Sequence, residues 1–339
     1  MLQRAFHPSL TSLFVCTVGI VGLSSTDFSA KGQSLIGGSY QRAIEADFGD
    51  KMPLREASIH AWTAAKLAVF GQTDASVITG ADGWLFTDEE FRRAEQEFNF
   101  EVELENAMTQ LATHNITLIP VIVPDKARVY DHLLPHDRLA DIEVRYAEVQ
   151  SLLASYNLPT IDLEAVLRDN RQTEETFMRT DTHWSPFGAE TAAKVIATEM
   201  SGLTVAPAEF VTTFGKIEPF EGDLLNFIQT GPFTNLVGPD AEFIKVAETV
   251  STAGADLLFG DATIPMALIG TSYSARDEFN FAGFLRQNTG LDLINYSTLG
   301  QGPFAPMQAF LASDAIQSSP PTIVIWELPE RYISVKAFQ

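Results

Sequence analysis

The sequence predicts an α/β domain of three layers, with helices on both faces of a mainly parallel sheet. Apolar runs of strand length alternate with amphipathic helical stretches. No internal repeat, low-complexity tract or Pro/Ser-rich linker divides the chain. With 339 residues, 45% of them hydrophobic, there is enough material for one sizeable core.

The elements follow in order. Arg4 and His7 precede an uncharged run from Pro8 to Thr26, whose apolar heart, Leu10 to Leu23, is 14 residues long. That suits a secretory segment and falls short of the roughly 20 residues that span a bilayer. Small residues follow at Gly22, Ser24, Ser25 and Ala30 without a clean A-x-A site. Residues 1–30 are therefore expected to be a signal peptide or an N-terminal signal anchor, which places the rest of the chain in the periplasm. Leu13-Phe14-Val15-Cys16 only faintly resembles a lipoprotein box, because bulky Val15 and a short apolar run precede the cysteine. Residues 31–339 are expected to form one domain.

Within it, apolar residues at helical spacing mark a helix over 89–113 and another over Ala140 to Tyr156. A third runs from Pro186 to Met200, with Ser185 as N-cap, Pro186 as first residue and Gly202 as stop. Ala189, Ala192, Ala193, Ile196 and Met200 share one of its faces. Thr117 to Val123 is a continuous apolar run closed by Pro124-Asp125, as in a buried strand. Residues 160–163, 263–269, 291–297 and 321–327 are further strand candidates. The stretch 203–262, rich in Gly, Pro and Phe, has weak periodicity and is expected to be an insertion over one edge of the sheet or over the site.

Charge and composition exclude several functions. Lys+Arg number 22 against 44 Asp+Glu, a formal charge of −22, opposite to the basic footprint of a nucleic-acid or polybasic membrane-surface protein. Aromatic content of 10% and a mean hydropathy near zero exclude a disordered acidic tail. The single cysteine, Cys16, supports neither a disulfide framework nor a thiolate metal cluster. His132 and His136 are spaced i, i+4, but Pro135 interrupts the helix that a zinc site would need. His60 and His114 fall in helical patterns as ordinary surface or satisfied residues. No phosphate-loop motif occurs, and neither a metal nor a cofactor is expected.

Two short motifs can carry chemistry. Asp181-Thr182-His183-Trp184 stands directly before the Ser185-Pro186 helix start. In an extended segment, i and i+2 project to one side, so Asp181 could orient His183 as a general base. The alternative is that Asp181 caps the helix and His183 sits in a satisfied polar pocket. Gly270-Thr271-Ser272-Tyr273-Ser274 follows an apolar strand and precedes a helix carrying Phe281, Phe284 and Leu285. A strand, tight turn and helix can present a nucleophilic serine at a sheet's carboxyl edge, and Gly270 permits the turn. Here the alternative is that Ser272 or Ser274 merely caps the helix. Together the two motifs offer nucleophile, base and orienter.

The sequence resembles the alginate O-acetyltransferases of the AlgJ/AlgX type, with their SGNH-hydrolase-like domain. The resemblance rests on Gly80-Ala-Asp-Gly-Trp-Leu-Phe86, Pro124-Asp-Lys-Ala-Arg-Val-Tyr130, Asp181–Trp184 with Pro186 and Gly188-Ala189, Gly222-Asp223-Leu224, Gly270–Ser274 and Trp326-Glu327, in that order. It implies Ser272 as nucleophile, His183 as base and Asp181 as its orienter. The aspartate–histidine pair precedes the serine, the permuted order of this family. The chain ends soon after Trp326-Glu327, so the AlgJ type is expected rather than the AlgX type with its carbohydrate-binding module. The SGNH oxyanion asparagine has no evident counterpart; Asn295 to Gly302 is the candidate segment for a glycine N–H.

The resemblance further implies transfer of acetyl groups to a polysaccharide acceptor, with other polysaccharide assembly proteins as partners. A membrane-bound O-acyltransferase would pass on the acetyl donor. An acetylesterase with the same triad, and a non-catalytic component of a secretion complex, are the competing readings. Lys126, Arg128 and Arg331 are candidate cations for a uronate carboxylate, although such a residue is more often a surface ion-pair partner. Trp84, Trp184 and Tyr332 could stack on sugar rings, with core packing the simpler role for both tryptophans. Tyr273 and Gly302 complete the substrate-binding candidates. Because a polyanionic acceptor would be repelled by a uniformly acidic surface, a locally neutral or basic groove is expected around Ser272.

Overall fold

The computed structural model describes residues 8–29, 34, 36–52, 55–94, 99–201, 208–252 and 264–334. The chain forms two compact units, one of residues up to 72 with 229–238 and the other of residues 73–228 with 239–339. The smaller unit carries helices Pro8–Ser25, Ser39–Lys51 and Arg55–Phe70. Gly22 lets the first two approach, since a Cβ there would lie 2.9 Å from the Phe48 ring. Among the described residues no helix is long and apolar enough to cross a membrane.

The larger unit contains β1 (Val77–Thr79), β2 (Leu85–Thr87), β3 (Thr117–Val123), β4 (Phe210–Phe220), β5 (Glu242–Ser251), β6 (Met266–Ile269), β7 (Leu293–Asn295) and β8 (Ile323–Pro329). Its centre is a four-stranded sheet of order β3-β8-β6-β7, parallel throughout. Alternate residues face opposite sides, the period-two geometry of a strand. Ile119, Val121, Val123, Leu268, Ile323 and Ile325 pack with helices Leu163–Asn170, Pro186–Glu199 and Phe281–Thr289. Leu118, Ile122, Ile269, Val324, Trp326 and Leu328 pack with helices Phe100–Thr113, Arg145–Ser155 and Phe304–Leu311. Both faces are covered, which accounts for strands that are apolar throughout rather than alternating. The three-layer α/β reading of the sequence stands.

Local chemistry fixes the helix starts. Ser185 Oγ accepts from Gly188 N–H at 3.1 Å and Pro186 occupies the first turn. Gly202 lies outside the described residues. The helix expected over 89–113 is a 3-10 turn at Asp88–Phe91 and a separate helix from Phe100. The break comes at Asn99, whose Oδ1 accepts from Glu101 and Val102 N–H. The helix expected over 140–156 divides at Val144 into Ala140–Glu143 and Arg145–Ser155. Residues 160–163 are not a strand: Asp162 caps the helix Leu163–Asn170 by accepting from Ala165 N–H.

The stretch 203–262 contributes β4 and β5, a separate antiparallel pair with an irregularity between Phe214 and Ile217. One face of it packs on the sheet domain through Ile244 and Ala247. Between these strands the segment Asp223–Phe227 forms a 3-10 turn that reaches the site described next.

Candidate active site

The carboxyl ends of β6 and β8 meet at a buried carboxylate. Glu327, on β8, accepts from Thr271 N–H at 2.7 Å and from Ser274 Oγ at 3.0 Å, and it also receives the Thr271 hydroxyl. These bonds pin the turn that leaves β6. They also explain Gly270: a Cβ there would lie 2.4 Å from Glu327 Oε2. Burial pushes the Glu327 carboxyl up to about 7, against the opposing pull of the Thr271 and Ser274 donors. Ser272 is the first residue of the short helical turn Ser272–Ala275, so its N–H has no acceptor within that turn.

Ser272 Oγ lies 2.7 Å from His183 Nε2, and His183 Nδ1 lies 2.5 Å from Asp181 Oδ1. Asp181 is fully buried and His183 nearly so. Burial alone would raise the Asp181 pKa. The hydrogen bond and charge of His183, with the charge of Arg276 and the N–H of Asp223, outweigh it and hold the carboxyl well below the usual range. An ionised Asp181 keeps the proton on Nδ1 and leaves the Nε2 lone pair to accept from the serine hydroxyl.

Asp181 is held on all sides. Oδ1 also accepts from His183 N–H, while Oδ2 accepts from Asp223 N–H at 2.8 Å and from an Arg276 guanidinium nitrogen at 3.1 Å. The Asp223 carboxylate in turn accepts from Thr182 N–H and Thr182 Oγ1. Gly222 is required for that approach, because a Cβ would lie 2.1 Å from Thr180 O. Glu242, from β5, accepts from the N–H groups of Arg179 and Thr180 and fixes the entry to the loop. The His183 ring is stacked on Phe279 at 5.4 Å between centroids, and Arg276 lies over the same ring.

Ligand atoms of Asp181, His183 and Asp223 lie within 4.8 Å of one another. The Asp181 oxygens are already filled by N–H donors, and the Arg276 guanidinium lies where a cation would have to sit. This donor set fits a proton relay better than a metal ion.

The other predicted residues divide. The Lys126 ammonium is fully buried and donates to Leu85 O at 2.6 Å, Arg179 O at 2.9 Å and Asp181 O at 2.9 Å. All its donors are spent on backbone, so the expectation that it binds a uronate is corrected. Arg128 is corrected for the same reason: its guanidinium forms a two-pronged bond to buried Glu330, at 2.9 and 2.6 Å. Around that pair, Asp125 receives Arg138 at 2.9 Å and Arg145 at 2.5 Å. Trp184 is buried, its indole N–H donating to Tyr273 O, and presents no face to a sugar. Trp84 is likewise in the core, stacked on Tyr130.

Tyr273 is buried as well. Its hydroxyl donates to Thr182 O at 2.8 Å and receives Arg331 at 3.2 Å, so it braces the loop instead of meeting ligand. Arg331, Tyr332 and Gly302 do come together, on a cleft of about 300 Å³. The Asn295 side chain is committed, donating to Ser274 O at 2.7 Å and accepting from Ser297 N–H.

A serine, histidine and aspartate joined in this way at the carboxyl edge of a parallel sheet form the constellation of a serine-dependent hydrolase or acyltransferase. Residues 77–330 match the family described as the SGNH hydrolase-like domain of the acetyltransferase AlgX, and the chain belongs to that family. It is 36% identical over 315 residues to the probable alginate O-acetylase AlgJ of Pseudomonas putida, covering 89% of this chain and 82% of that one. The Azotobacter vinelandii AlgJ is 35% identical, with 93% and 83% covered. The alginate biosynthesis protein AlgX of Pseudomonas putida is more distant, at 28% identity with 78% and 58% covered. Among solved structures, the O-acetyltransferase domain of Pseudomonas putida AlgJ superposes with a TM-score of 0.69 at 34% identity, over 78% of this chain and 94% of that domain. The expected leaning towards the AlgJ type accords with these identities.

Proposed function

We propose that this chain is a periplasmic O-acetyltransferase that carries acetyl groups through Ser272 to hydroxyls of alginate or a closely related uronate polymer. The observation that carries the reading is the continuous relay Ser272–His183–Asp181 in a chain of the AlgX acetyltransferase family. The relatives' description as alginate O-acetylases supports the substrate.

The chemistry follows from the geometry. His183 Nε2 takes the Ser272 proton as Oγ attacks the acetyl carbonyl of the donor, and the new oxyanion is met by the Ser272 N–H. The imidazolium returns the proton to the leaving group, giving acetyl-Ser272. A sugar hydroxyl then attacks that ester, its proton passing to His183 and on to Ser272 Oγ as the serine leaves. Asp181 stabilises the imidazolium in both halves and stays ionised throughout. Transfer over hydrolysis requires the acceptor to be positioned beside the acetyl-serine while water is kept out. The acetyl group would be supplied by a membrane-bound O-acyltransferase working with other polysaccharide assembly proteins.

The test is to incubate the purified chain with an acetyl donor ester and oligomannuronate, and to follow the sugars by mass spectrometry. Acetylated oligomannuronate, lost in Ser272→Ala, is the expected result. Release of acetate without sugar acetylation at any acceptor concentration would instead make the chain an esterase.

A further inference from the structure

The turn that presents Ser272 also carries a cation to the far side of the triad. Arg276 N–H closes the turn on Ser272 O at 3.2 Å, and its side chain reaches back to the loop of Asp181 and His183. One guanidinium nitrogen, Nη1, lies 3.1 Å from Asp181 Oδ2 and 3.4 Å from His183 Nδ1. The other edge is taken up elsewhere: Nε and Nη2 both donate to Glu278 Oε1, at 2.8 and 2.6 Å. The flat face lies 4.9 Å from the Phe279 ring centroid and 5.8 Å from that of Phe220. A planar fork bound on one edge and stacked on its face keeps little freedom, so Nη1 is aimed at the relay.

The charges around the His183 ring give this placement its consequence. From its own loop the ring faces Asp181, which takes Nδ1–H, and from the Asp223–Phe227 turn it faces Asp223, whose Oδ2 lies 3.7 Å from Nδ1. From the serine turn and the segment after it come Ser272 Oγ, the Tyr273 ring at 4.7 Å and the Phe279 ring at 5.4 Å. The Lys126 ammonium sits behind the loop on Asp181 O. Two carboxylates at one edge favour a resting imidazolium, and an imidazolium has no Nε2 lone pair for the Ser272 proton. Arg276 sets a positive charge directly beside that edge. Because Nδ1–H and Nη1–H both point at Asp181, the 3.4 Å approach places two donors side by side and disfavours a second positive charge on the ring.

We infer that Arg276 is a positioning residue of the relay, which fixes the Oδ2 edge of Asp181 and keeps His183 unprotonated as a base, and that Glu278 tempers it by holding the guanidinium. The inference rests on the acyl-transfer reading of Ser272, His183 and Asp181 above. It adds two residues that act through His183 and set the pH range in which the serine can be activated. Without Arg276 the imidazolium persists to higher pH. Without the Glu278 carboxylate the guanidinium charge acts undiminished, and the imidazolium is lost at lower pH. Opposite effects from two bonded side chains separate a charge effect from mere support of the loop.

NMR titration of the six histidines, isotopically labelled in the full chain carrying Ser272→Ala, reads His183 without turnover. Its signal is assigned by its absence from a His183→Asn version. Adding Arg276→Gln should raise the pH midpoint of His183 by about one to two units, and adding Glu278→Gln should lower it. Arg276→Lys, which keeps the charge, should stay closer to the parent than Arg276→Gln. In chains that keep Ser272, the acid limb of the kcat/KM profile for acetyl transfer should move in the same directions. Arg276→Gln should then lose about tenfold or more at the foot of that limb and little above it. An unmoved midpoint in both variants, or shifts of one sign in Arg276→Gln and Glu278→Gln, would overturn the inference. Should Arg276→Gln not fold, Glu278→Gln decides it, and an unmoved or raised midpoint there overturns it. Failure of acetyl transfer by the parent chain, with the midpoint differences intact, would overturn the catalytic reading alone.

Discussion

Glu327→Gln tests how the nucleophile turn is built. The Glu327 carboxyl is fully enclosed and raised from 4.5 to about 7 by burial, while its oxygens hold Thr271 and Ser274. A group whose folded pKa lies above its unfolded value contributes stability that is complete below the unfolded value and lost as pH rises through the folded one. For Glu327 the window is pH 4.5 to about 7, and the loss across it is about 3 kcal/mol. Glutamine keeps a carbonyl oxygen for Thr271 N–H and Ser274 Oγ and never ionises. Urea unfolding of parent and variant at pH 5, 6, 7 and 8 should show the variant gaining on the parent as pH rises, by about 3 kcal/mol in total. Glu90 is also buried and raised to about 7, and burial raises Glu330 and Glu175 too, so the parent curve alone would mix several groups; the difference between the two proteins isolates Glu327. Parallel curves, or a variant that loses ground as pH rises, would refute the assignment of a buried acid strained by ionisation.

Other consequences follow from the same contacts. Asp181→Asn should lower acetyl transfer about 10³- to 10⁴-fold, because an amide cannot fix the Nδ1–H tautomer; steady-state rates on oligomannuronate read this. Because the Asp181 carboxyl is held low, its contribution to stability is present above an unfolded pKa of about 4 and lost as pH falls, so Asp181→Asn should also flatten the acid end of the stability curve. Lys126→Met removes a donor from Leu85 O, Arg179 O and Asp181 O, of which Arg179 O keeps Leu85 N–H, and should cost about 2–4 kcal/mol, measured by urea unfolding at pH 7. Gly222→Ala would place a Cβ 2.1 Å from Thr180 O, forcing Asp223 away from Asp181; transfer should fall steeply while the far-UV spectrum stays the same.

The fold was legible because the strands are buried on both faces. TLIPVIV from Thr117 to Val123 could hardly be anything else, and its register beside β8 only confirms the parallel reading. Residues 160–163 misled because four apolar-rich residues carry no period, and the capping oxygen of Asp162 decided for a helix. Asp181, His183 and Ser272 were legible as motifs, but the bond that joins His183 to Ser272 spans 89 positions and belongs to tertiary structure. Arg276 was missed although it stands one helical turn beyond Ser272, a spacing that could have pointed to it. Asp223 and Glu327 were visible only as parts of the family resemblance, with nothing local to say that they fix the loop and the turn.

Lys126 and Arg128 misled for a physical reason. In a sequence, a cation beside a strand end looks available to ligand, whereas here the first is consumed by carbonyls and the second by Glu330. Of the three expected cations only Arg331 reaches a cleft, one that it shares with Arg92 and Arg93 and that Ser272 does not line.

The central claim is that acetyl passes through Ser272. Brief incubation of the full chain with an acetyl donor ester, acid quenching and peptide mass spectrometry address it directly. One acetyl group on the peptide carrying Ser272, removed on adding oligomannuronate and absent from Ser272→Ala, is the predicted result. Undiminished acetylation of oligomannuronate by Ser272→Ala would contradict it.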